Sequence, residues 1–233
     1  MKNLAFALFL ATVPCTIHEA LAQKISDYAL TIDKRSCDAA NMHVDCSFRL
    51  DFQQADSVSM AFGGDESLSI ENLTFGTGSG ITGRYVPAAK RVAFRRANRR
   101  RVSVSMSYDY TNLSAFFIYG AGNAELWETS FGEYYYPCMP NSSMELDIEV
   151  KTPDSLSLLC SYPLERTAPG CYGGRPGNVL AQPLTLAFFR TEAYTHSVCD
   201  TSCGKLDLYQ PTGIQCSPDR CNHLLAPPPA PPD

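Results

Sequence analysis

The sequence predicts an all-β fold: an antiparallel β-sandwich with a disulfide-stapled C-terminal extension. Three observations predict it. Apolar and polar residues alternate with a period of two in several segments, the pattern of strands with one buried and one wet face. Segments rich in glycine and proline separate these runs. The 233 residues also include ten cysteines, a density typical of exported proteins with disulfides.

The clearest predicted strand runs from Val44 to Phe52, where five apolar residues alternate with polar ones. The alternating apolar residues of the other predicted strands are Val58, Met60 and Phe62; Val102, Val104, Met106 and Tyr108; Met144, Leu146, Ile148 and Val150; Leu184, Leu186 and Phe188; and Leu206 and Leu208. Two segments, 25–32 and 121–131, favour a short helix instead, because the apolar residues of the first would share one helix face.

Residues 1–22 have the features of an export signal. Lys2 provides the positive charge, the apolar run over 4–13 is shorter than a membrane-spanning helix, and Ala20–Ala22 matches the small-x-small cleavage pattern. We therefore predict cleavage before Gln23 and a secreted, extracellular protein.

Loss of the signal would leave nine cysteines, enough for four disulfides and one odd thiol that is either free or used between chains. The disulfide candidates are Cys37, Cys46, Cys138, Cys160, Cys171, Cys199, Cys203, Cys216 and Cys221. Three Asn-x-Ser/Thr sequons are candidate glycosylation sites, at Asn72, Asn112 and Asn141. They agree with export.

The mature chain divides into three parts by composition. Residues 23–150 contain most of the alternating segments and are the predicted sandwich domain. Residues 151–225 hold six of the nine mature cysteines and are either a C-terminal subdomain or an elaboration of the same sandwich. Residues 226–233 form a proline-rich tail that we expect to be extended.

Enzyme signatures are poor, and we predict neither an enzyme nor a cofactor. The sequence has no Gly-x-Ser-x-Gly nucleophile elbow, no His-Glu-x-x-His motif and no phosphate-binding loop. The histidines and cysteines between His196 and His223 could be drawn as a zinc site, but the C-x3-C and C-x4-C spacings are loose. Disulfides are the expected state of cysteines in an exported chain, so we predict no metal site.

A basic cluster lies in the middle of the chain. It consists of Lys90, Arg91, Arg95, Arg96, Arg99, Arg100 and Arg101. Since the net charge is −5 and these seven residues carry +7, the rest of the chain carries −12. This overall charge disfavours nucleic acid as a partner, whereas the cluster suits an anionic lipid or glycan surface. A processing-protease site and an ordinary solvated hairpin loop are the alternatives.

Aromatic residues are concentrated between Tyr108 and Tyr136, where ten aromatic residues lie. The three consecutive tyrosines from Tyr134 to Tyr136 cannot all point inward from a regular strand, so we expect some of these rings to be exposed. Exposed tyrosine and tryptophan favour the bilayer interface and attract choline by cation–π interaction. A place in the sandwich core is the alternative.

The same region resembles the actinoporins, a family of pore-forming cytolysins. The matching segments are Ser105–Thr111 followed by Phe116-Phe117, Phe131 followed by Tyr134–Tyr136, Phe75–Ser79, Val86–Lys90 and Asn141–Val150. They occur in the family's order over about residues 72–150. The resemblance implies a β-sandwich, binding of choline lipids in an aromatic pocket, and pore assembly through an N-terminal amphipathic helix, here residues 23–36.

On this resemblance, one set of residues takes the positions that bind the lipid head group: Ser105, Tyr110, Phe131, Tyr135 and Tyr136. Phe116, Phe117 and Trp127 take positions at the membrane interface. The leading hypothesis is a secreted protein that binds phosphocholine lipid and in a further step forms pores, as an oligomer or a disulfide-linked dimer. The alternative is a secreted, non-enzymatic glycoprotein that binds a protein or glycan through the basic cluster.

Overall fold

The structure is a computed structural model. It describes residues 24–36, 41–64, 68–77, 80–112, 116–118, 125–128, 134–139, 143–175, 178–180, 184–201 and 204–212. The predicted export signal, the proline-rich tail, Phe131 and Asn141 lie outside these ranges.

The described part of the chain is all-β, as the alternating pattern predicts. Its strands are β1 (Lys24–Asp33), β2 (Asn41–Asp51), β3 (Ser57–Gly63), β4 (Leu68–Thr77), β5 (Ile81–Val86), β6 (Arg91–Arg96), β7 (Arg101–Asn112), β8 (Phe116–Ile118), β9 (Glu125–Glu128), β10 (Tyr134–Cys138), β11 (Ser143–Lys151), β12 (Leu156–Cys160), β13 (Glu165–Ala168), β14 (Cys171–Gly174), β15 (Asn178–Leu180), β16 (Leu186–Arg190), β17 (Tyr194–Thr201) and β18 (Gly204–Pro211). Two short 3-10 helices span Pro87–Ala89 and Thr191–Ala193.

The strands form three larger sheets and one two-stranded ladder. The large sheet has the order β13-β14-β11-β1-β2-β7-β4, with β15 also paired to β11. The second sheet has the order β10-β3-β6-β5, and the third has the order β12-β16-β9-β8. Strands β17 and β18 pair only with each other among the described strands. The large sheet is mixed and not purely antiparallel, because β1 and β11 run parallel, with Tyr28 opposite Leu146.

The segment 25–32 is a strand, so the predicted helix is wrong. Strand β1 lies between β2 and β11, and its pairing with β2 shifts between Ser26 and Ala29. The shift inserts one extra residue in β1 and is accompanied by a positive φ of 53° at Asp27. This bulge resets the alternation, so Ile25 and Tyr28 both face inward although three positions separate them. The resulting spacing imitates a helical stripe.

The second helical prediction, over 121–131, is also wrong for the residues that the structure describes. Strand β9 occupies 125–128 and pairs on one side with β8 and on the other with β16. The remainder of that segment lies outside the described residues.

The inward faces of the large and second sheets meet through aromatic side chains. Phe94 contacts Phe48 and Phe75 with ring centroids 5.8 and 6.0 Å apart, and Phe62 contacts Tyr108 at 4.9 Å. These rings are members of one hydrophobic cluster. The cluster buries apolar surface from both sheets, which is the main stabilising contribution in a fold of this kind.

The residues after 150 continue the same sheet and the same core. Strand β14 pairs with β11, which places Tyr172 opposite Val150. Leu156, Leu184 and Phe188 belong to the hydrophobic cluster that the earlier strands form. Strand β14, Leu156, Leu184 and Phe188 are therefore packed with the strands of the front part.

No disulfide joins two of the cysteines whose side chains the structure describes. Those cysteines are Cys46, Cys138, Cys160 and Cys171. The side chains of the other five candidates, Cys37, Cys199, Cys203, Cys216 and Cys221, lie outside the described part. Burial raises the pKa of Cys46 to about 12, so this thiol stays protonated inside the fold.

Candidate functional surface

Three tyrosines predicted to bind a head group lie in the core. Tyr110 is 1% exposed, and Tyr135 and Tyr136 are fully buried. Their rings do converge: Tyr110 and Tyr135 are 5.7 Å apart, and Tyr135 and Tyr136 are 4.9 Å apart, between centroids. They meet inside the fold and not in an open pocket. These three tyrosines therefore do not form the open pocket that the resemblance implies. Tyr134 is partly exposed, which agrees with the expectation that some of the consecutive rings are exposed.

Hydrogen bonds to the backbone explain why these phenols can be buried. The hydroxyl of Tyr135 donates to the carbonyl of Leu184 at 2.6 Å, and the amide of Leu184 donates to the hydroxyl of Tyr136 at 3.1 Å. Tyr108 and Tyr28 donate to the carbonyls of Tyr135 and Pro137 at 2.6 and 2.8 Å. Each of these polar groups thus has the partner that burial demands.

The irregular pairing of β10 allows two consecutive tyrosines to face inward. Strand β10 pairs with β3 at Tyr134 and at Cys138, and the register shifts between these two positions. The carbonyls of Tyr135 and Pro137 in this interval accept bonds from tyrosine side chains of the large sheet. A regular strand would have turned every second ring to solvent.

Ser105, the polar member of the predicted set, lies on the opposite face of the large sheet. Strand β7 buries Val104, Met106 and Tyr110, while Ser105 is exposed and donates from Oγ to the carbonyl of Gly76 at 3.0 Å. Ser105 and Tyr110 are therefore not brought together. Phe131 lies outside the described residues, so its predicted role stays a prediction.

The predicted interfacial aromatics lie on neighbouring strands. Phe116 and Phe117 are in β8 and Trp127 is in β9, and the register places Phe116 opposite Trp127. Strand β8 is the outer strand of the third sheet in the described order. The three residues are thus close in the backbone, at an edge of a sheet.

The basic cluster is presented largely on the outward face of the second sheet. Val92 and Phe94 of β6 are buried, so Arg91 and Arg95 point to the opposite side, where both are exposed. Arg84 on β5 faces the same side and is also exposed. We call Arg84, Arg91 and Arg95 the basic face. Lys90 and Arg99, both exposed, lie at the turns before and after β6.

Small and hydroxyl-bearing residues separate the arginines of the basic face. Arg95 lies between Ser57 and Thr82, and Arg84 lies opposite Ala93. The outward positions of β3, β5 and β6 carry no acidic residue; they are Ser57, Ser59, Ala61, Thr82, Arg84, Val86, Arg91, Ala93 and Arg95. Among these described outward positions, no carboxylate neutralises the guanidinium groups.

Ion pairs divide the basic cluster into two groups. Arg100 and Arg101 both bind Asp51, at 2.9 and 3.0 Å, and Arg96 binds Asp56 at 3.1 Å. These three arginines hold the turn between β6 and β7 against neighbouring strands. The other members, Arg91, Arg95, Arg99 and Lys90, and also Arg84, form no ion pair with any described residue.

Arg84 is the member of this surface that the sequence analysis missed. It lies outside the run of basic residues, and only pairing with β6 brings it beside Arg91 and Arg95. The sequence does contain an alternating pattern here, in which the apolar Ile81 and Tyr85 alternate with the polar Thr82 and Arg84. The pattern is hard to recognise because Gly83 occupies the middle inward position.

Of the three predicted glycosylation sites, the structure describes the side chain of Asn72. Asn72 is exposed and lies at a bulge in β4, with a φ of 53°. The backbone of Asn112 ends β7, while Asn141 lies outside the described residues.

No protein-family model matches this chain, and no curated protein matches it. No helix with the length and apolar character that a bilayer crossing needs occurs among the described residues.

Proposed function

We propose that the protein is a secreted, disulfide-bearing β-sandwich glycoprotein that binds an anionic glycan through the basic face. The observation that carries this proposal is the set of three arginines that share one sheet face with no acidic neighbour. The export signal at residues 1–22, the sequons and the stapled C-terminal extension are parts of the same proposal. No catalysis is needed for this function.

The chemistry of the basic face suits sulfate and carboxylate groups. A guanidinium binds such groups through two parallel hydrogen bonds. Arg91 and Arg95 are four residues apart on one strand, a separation of roughly 13 Å, with Arg84 on the next strand about 5 Å away laterally. Ser57 and Thr82 offer hydroxyls beside Arg95. A linear polyanion can therefore contact several cations along a flat surface.

The test is binding to a sulfated oligosaccharide, measured by calorimetry with a heparin fragment as the probe. Replacing Arg84, Arg91 and Arg95 by serine should weaken binding by more than about tenfold, because three exposed charge-assisted contacts of about 0.5 to 1 kcal/mol each sum to about 1.5 to 3 kcal/mol. The matched control replaces Arg35, Arg49 and Arg175 by serine. These arginines are exposed, are paired with acids near the large sheet, and give the same change in net charge.

Equal losses in the two triple variants would show that only total charge matters and would contradict the proposal. Failure of the wild-type protein to bind the heparin fragment at low salt would also contradict the proposal. Thermal unfolding of both variants establishes that each is folded.

A second candidate, binding of lipid head groups, is supported by the β8–β9 pair. Phe116 lies opposite Trp127 at the edge of the third sheet, and aromatic residues favour the bilayer interface. The test uses vesicles of phosphatidylcholine alone and of phosphatidylcholine with phosphatidylserine. On this hypothesis, Phe116→Ala with Trp127→Ala abolishes flotation with both vesicles, while the basic-face variant still floats with phosphatidylcholine.

Pore formation is a further step of this second candidate and has its own requirement. The segment 23–36 would have to leave the body of the protein, yet β1 is paired on both sides within the large sheet. Dye release from the same vesicles tests this step separately from binding.

A further inference from the structure

A serine, a histidine and an aspartate meet on the outward face of the large sheet. His43 lies on β2, and Ser107 and Asp109 lie two residues apart on β7. Nδ1 of His43 is 2.8 Å from Oδ1 of Asp109, and Nε2 is 3.2 Å from Oγ of Ser107. One ring nitrogen thus faces a carboxylate and the other faces a hydroxyl, which is the geometry of an activated nucleophile.

In the protein without a glycan on Asn72, the side chain of this residue fixes the carboxylate at the far end of this chain. Its Nδ2 donates to Oδ2 of Asp109 at 2.7 Å, so each carboxylate oxygen has a partner. The amide of Asn72 and the ring of His43 hold the pKa of Asp109 below its usual value. The carboxylate of Asp109 favours the tautomer of His43 with its proton on Nδ1, and in that tautomer the Nε2 lone pair is directed at Ser107.

Ser107 also lines a groove on the same face. The groove has a volume of about 320 Å³, and Thr31, Ser47 and Gly76 contribute to its walls. Ser107 is partly exposed and lines the groove, so a small molecule in the groove can contact the serine. The side chains of His43 and Asp109 are 22% and 32% exposed.

Two further charged groups contact the triad. Asp45 Oδ2 is 3.5 Å from Nε2 of His43, and Nη1 of Arg35 is 3.9 Å from Oδ1 of Asp109. The carboxylate of Asp45 stabilises the imidazolium that forms when His43 takes the proton of Ser107. It also competes with Ser107 for the same ring nitrogen, which slows the reaction.

We propose that Ser107 is the nucleophile of an acyl-transfer centre that accepts small carboxylic esters. Ser107 Oγ attacks the ester carbonyl carbon while its proton moves to His43 Nε2. The bond to the leaving alkoxide then breaks, and the alkoxide takes that proton and departs as an alcohol. Water hydrolyses the resulting serine ester by the same route, which releases a carboxylic acid and restores Ser107.

The surroundings of Ser107 predict a slow second step. Strand β7 is paired on both sides, with β2 and with β4, so its backbone amides are committed to the sheet. The hydroxyls of Thr31 and Ser47 in the groove are the donors left for the developing oxyanion. Two hydroxyls stabilise this charge less well than a preorganised pair of amides, which slows acylation and deacylation alike. An ester with a good leaving group offsets this loss in acylation alone, so we expect the acyl-serine to accumulate with such an ester.

The test treats the unmodified native protein with p-nitrophenyl acetate and locates the acetyl group by peptide mass spectrometry. We expect preferential acetylation of Ser107 in native protein and no such preference after denaturation. Ser105 is the internal control, because it lies on the same strand and face and is exposed, but its hydroxyl binds the Gly76 carbonyl and no histidine. Acetylation of Ser105 at an equal rate, or none at Ser107, would overturn the proposal.

Asp109 is a positioning residue that orients the ring of His43. Variants of Asp109 distinguish a loss of this orientation from a loss of folding. Asp109→Asn should lower the first-order rate of p-nitrophenol release by at least about tenfold with the half-saturating ester concentration unchanged. Asp109→Glu should restore part of the rate. A rate unaffected by Asp109→Asn in a folded protein would also overturn the proposal. The rate of p-nitrophenol release does not depend on binding of a glycan to the basic face or on binding of lipid, so this test is independent of both proposed functions.

Discussion

Tyr135 has a polar hydroxyl in the core, and the hydrogen bond of this hydroxyl indicates that the residue has a structural role. The hydroxyl donates to the carbonyl of Leu184 and thereby connects β10 to the segment that leads into β16. A phenol in this position stabilises the fold and is unable to meet a ligand from solvent. The tyrosine cluster is therefore a structural feature of the protein in the described state.

Tyr135→Phe should lower the free energy of unfolding by about 1 kcal/mol, because the hydrogen bond from the buried hydroxyl to the carbonyl of Leu184 is lost. Urea denaturation measures this change. Tyr134→Phe is the matched control: Tyr134 is the preceding residue, is partly exposed, and its hydroxyl forms no hydrogen bond with a described residue. We expect this control to change stability by less than about 0.5 kcal/mol. Equal effects at the two positions would contradict the role assigned to the Tyr135 hydroxyl.

The ionised carboxylate of Asp51 makes the stability of the fold depend on pH in the acid range. The backbone amide of Gln53 and the guanidinium groups of Arg101 and Arg100 hold the pKa of this carboxyl well below its usual value. A group whose pKa is lower in the folded state stabilises the protein above its unfolded pKa of about 3.9 and loses that contribution as the pH falls.

Asp51→Asn should therefore reduce stability at neutral pH and flatten the loss of stability between about pH 5 and pH 2. Urea midpoints measured across that range, for the wild type and the variant, provide the comparison. Parallel curves for the two proteins would show that Asp51 has no such role. Asp154→Asn is a suitable control, because Asp154 is exposed and forms no ion pair with a described residue.

At the scale of elements, β1 determines whether the N-terminal segment can act as a membrane-inserting helix. It is paired with β2 over most of its length and with β11 from Tyr28 to Asp33. Leu30 and Ile32 are buried, and the Tyr28 hydroxyl is bonded to the Pro137 carbonyl. Release of β1 would break two ladders and open the core.

Amide hydrogen exchange tests this conclusion. The amides of residues 28–33 that bond to neighbouring strands should exchange as slowly as those in the middle of β2, because both require global unfolding. Addition of phosphatidylcholine vesicles should leave this protection unchanged. Rapid exchange over 28–33, or a loss of protection when vesicles are added, would support release of the segment.

The bulge in β1 also shows where sequence patterns become ambiguous. Ile25 and Tyr28 have the spacing of one helix face, and the same spacing arises when a strand with one extra residue resumes its alternation. No periodicity distinguishes the two cases over eight residues. The tertiary contacts of β2 and β11 decide it, and these are not encoded within 25–32.

At the scale of the molecule, charge is unevenly distributed. The basic cluster contains seven of the 19 basic residues, in a chain whose net charge is −5. An anionic partner should therefore be attracted to one face and repelled elsewhere, which raises the association rate at low ionic strength.

The association rate constant with the heparin fragment should fall steeply as salt rises from about 0.05 to 0.3 M, because the Debye length is about 10 Å at 0.1 M. The dissociation rate constant should change less. Stopped-flow measurements at several salt concentrations provide both values. A rate of association that is independent of salt would contradict steering by the basic face.

The alternation of apolar and polar residues made most of the core predictable from the sequence. The surface sites were not predictable, because they depend on which strands pair with each other. The buried residues Val44, Cys46, Phe48 and Leu50 of β2, and Phe52 just after it, are those that the pattern assigned to the core. By contrast, Ser107 and His43 are separated by 64 residues, and they meet only because β7 pairs with β2. The parallel partner of β1 was likewise invisible to any local pattern.

The parallel pairing of β1 with β11 also sets the order of folding during synthesis. Residues near Tyr28 leave the ribosome long before their partners near Leu146. At about 5–20 residues per second, β1 waits on the order of ten seconds for that neighbour. Throughout this interval one edge of β1 is unpaired and is open to other chains. The unpaired edge of β1 is therefore a site where a nascent chain can associate with other chains until β11 emerges and closes the sheet.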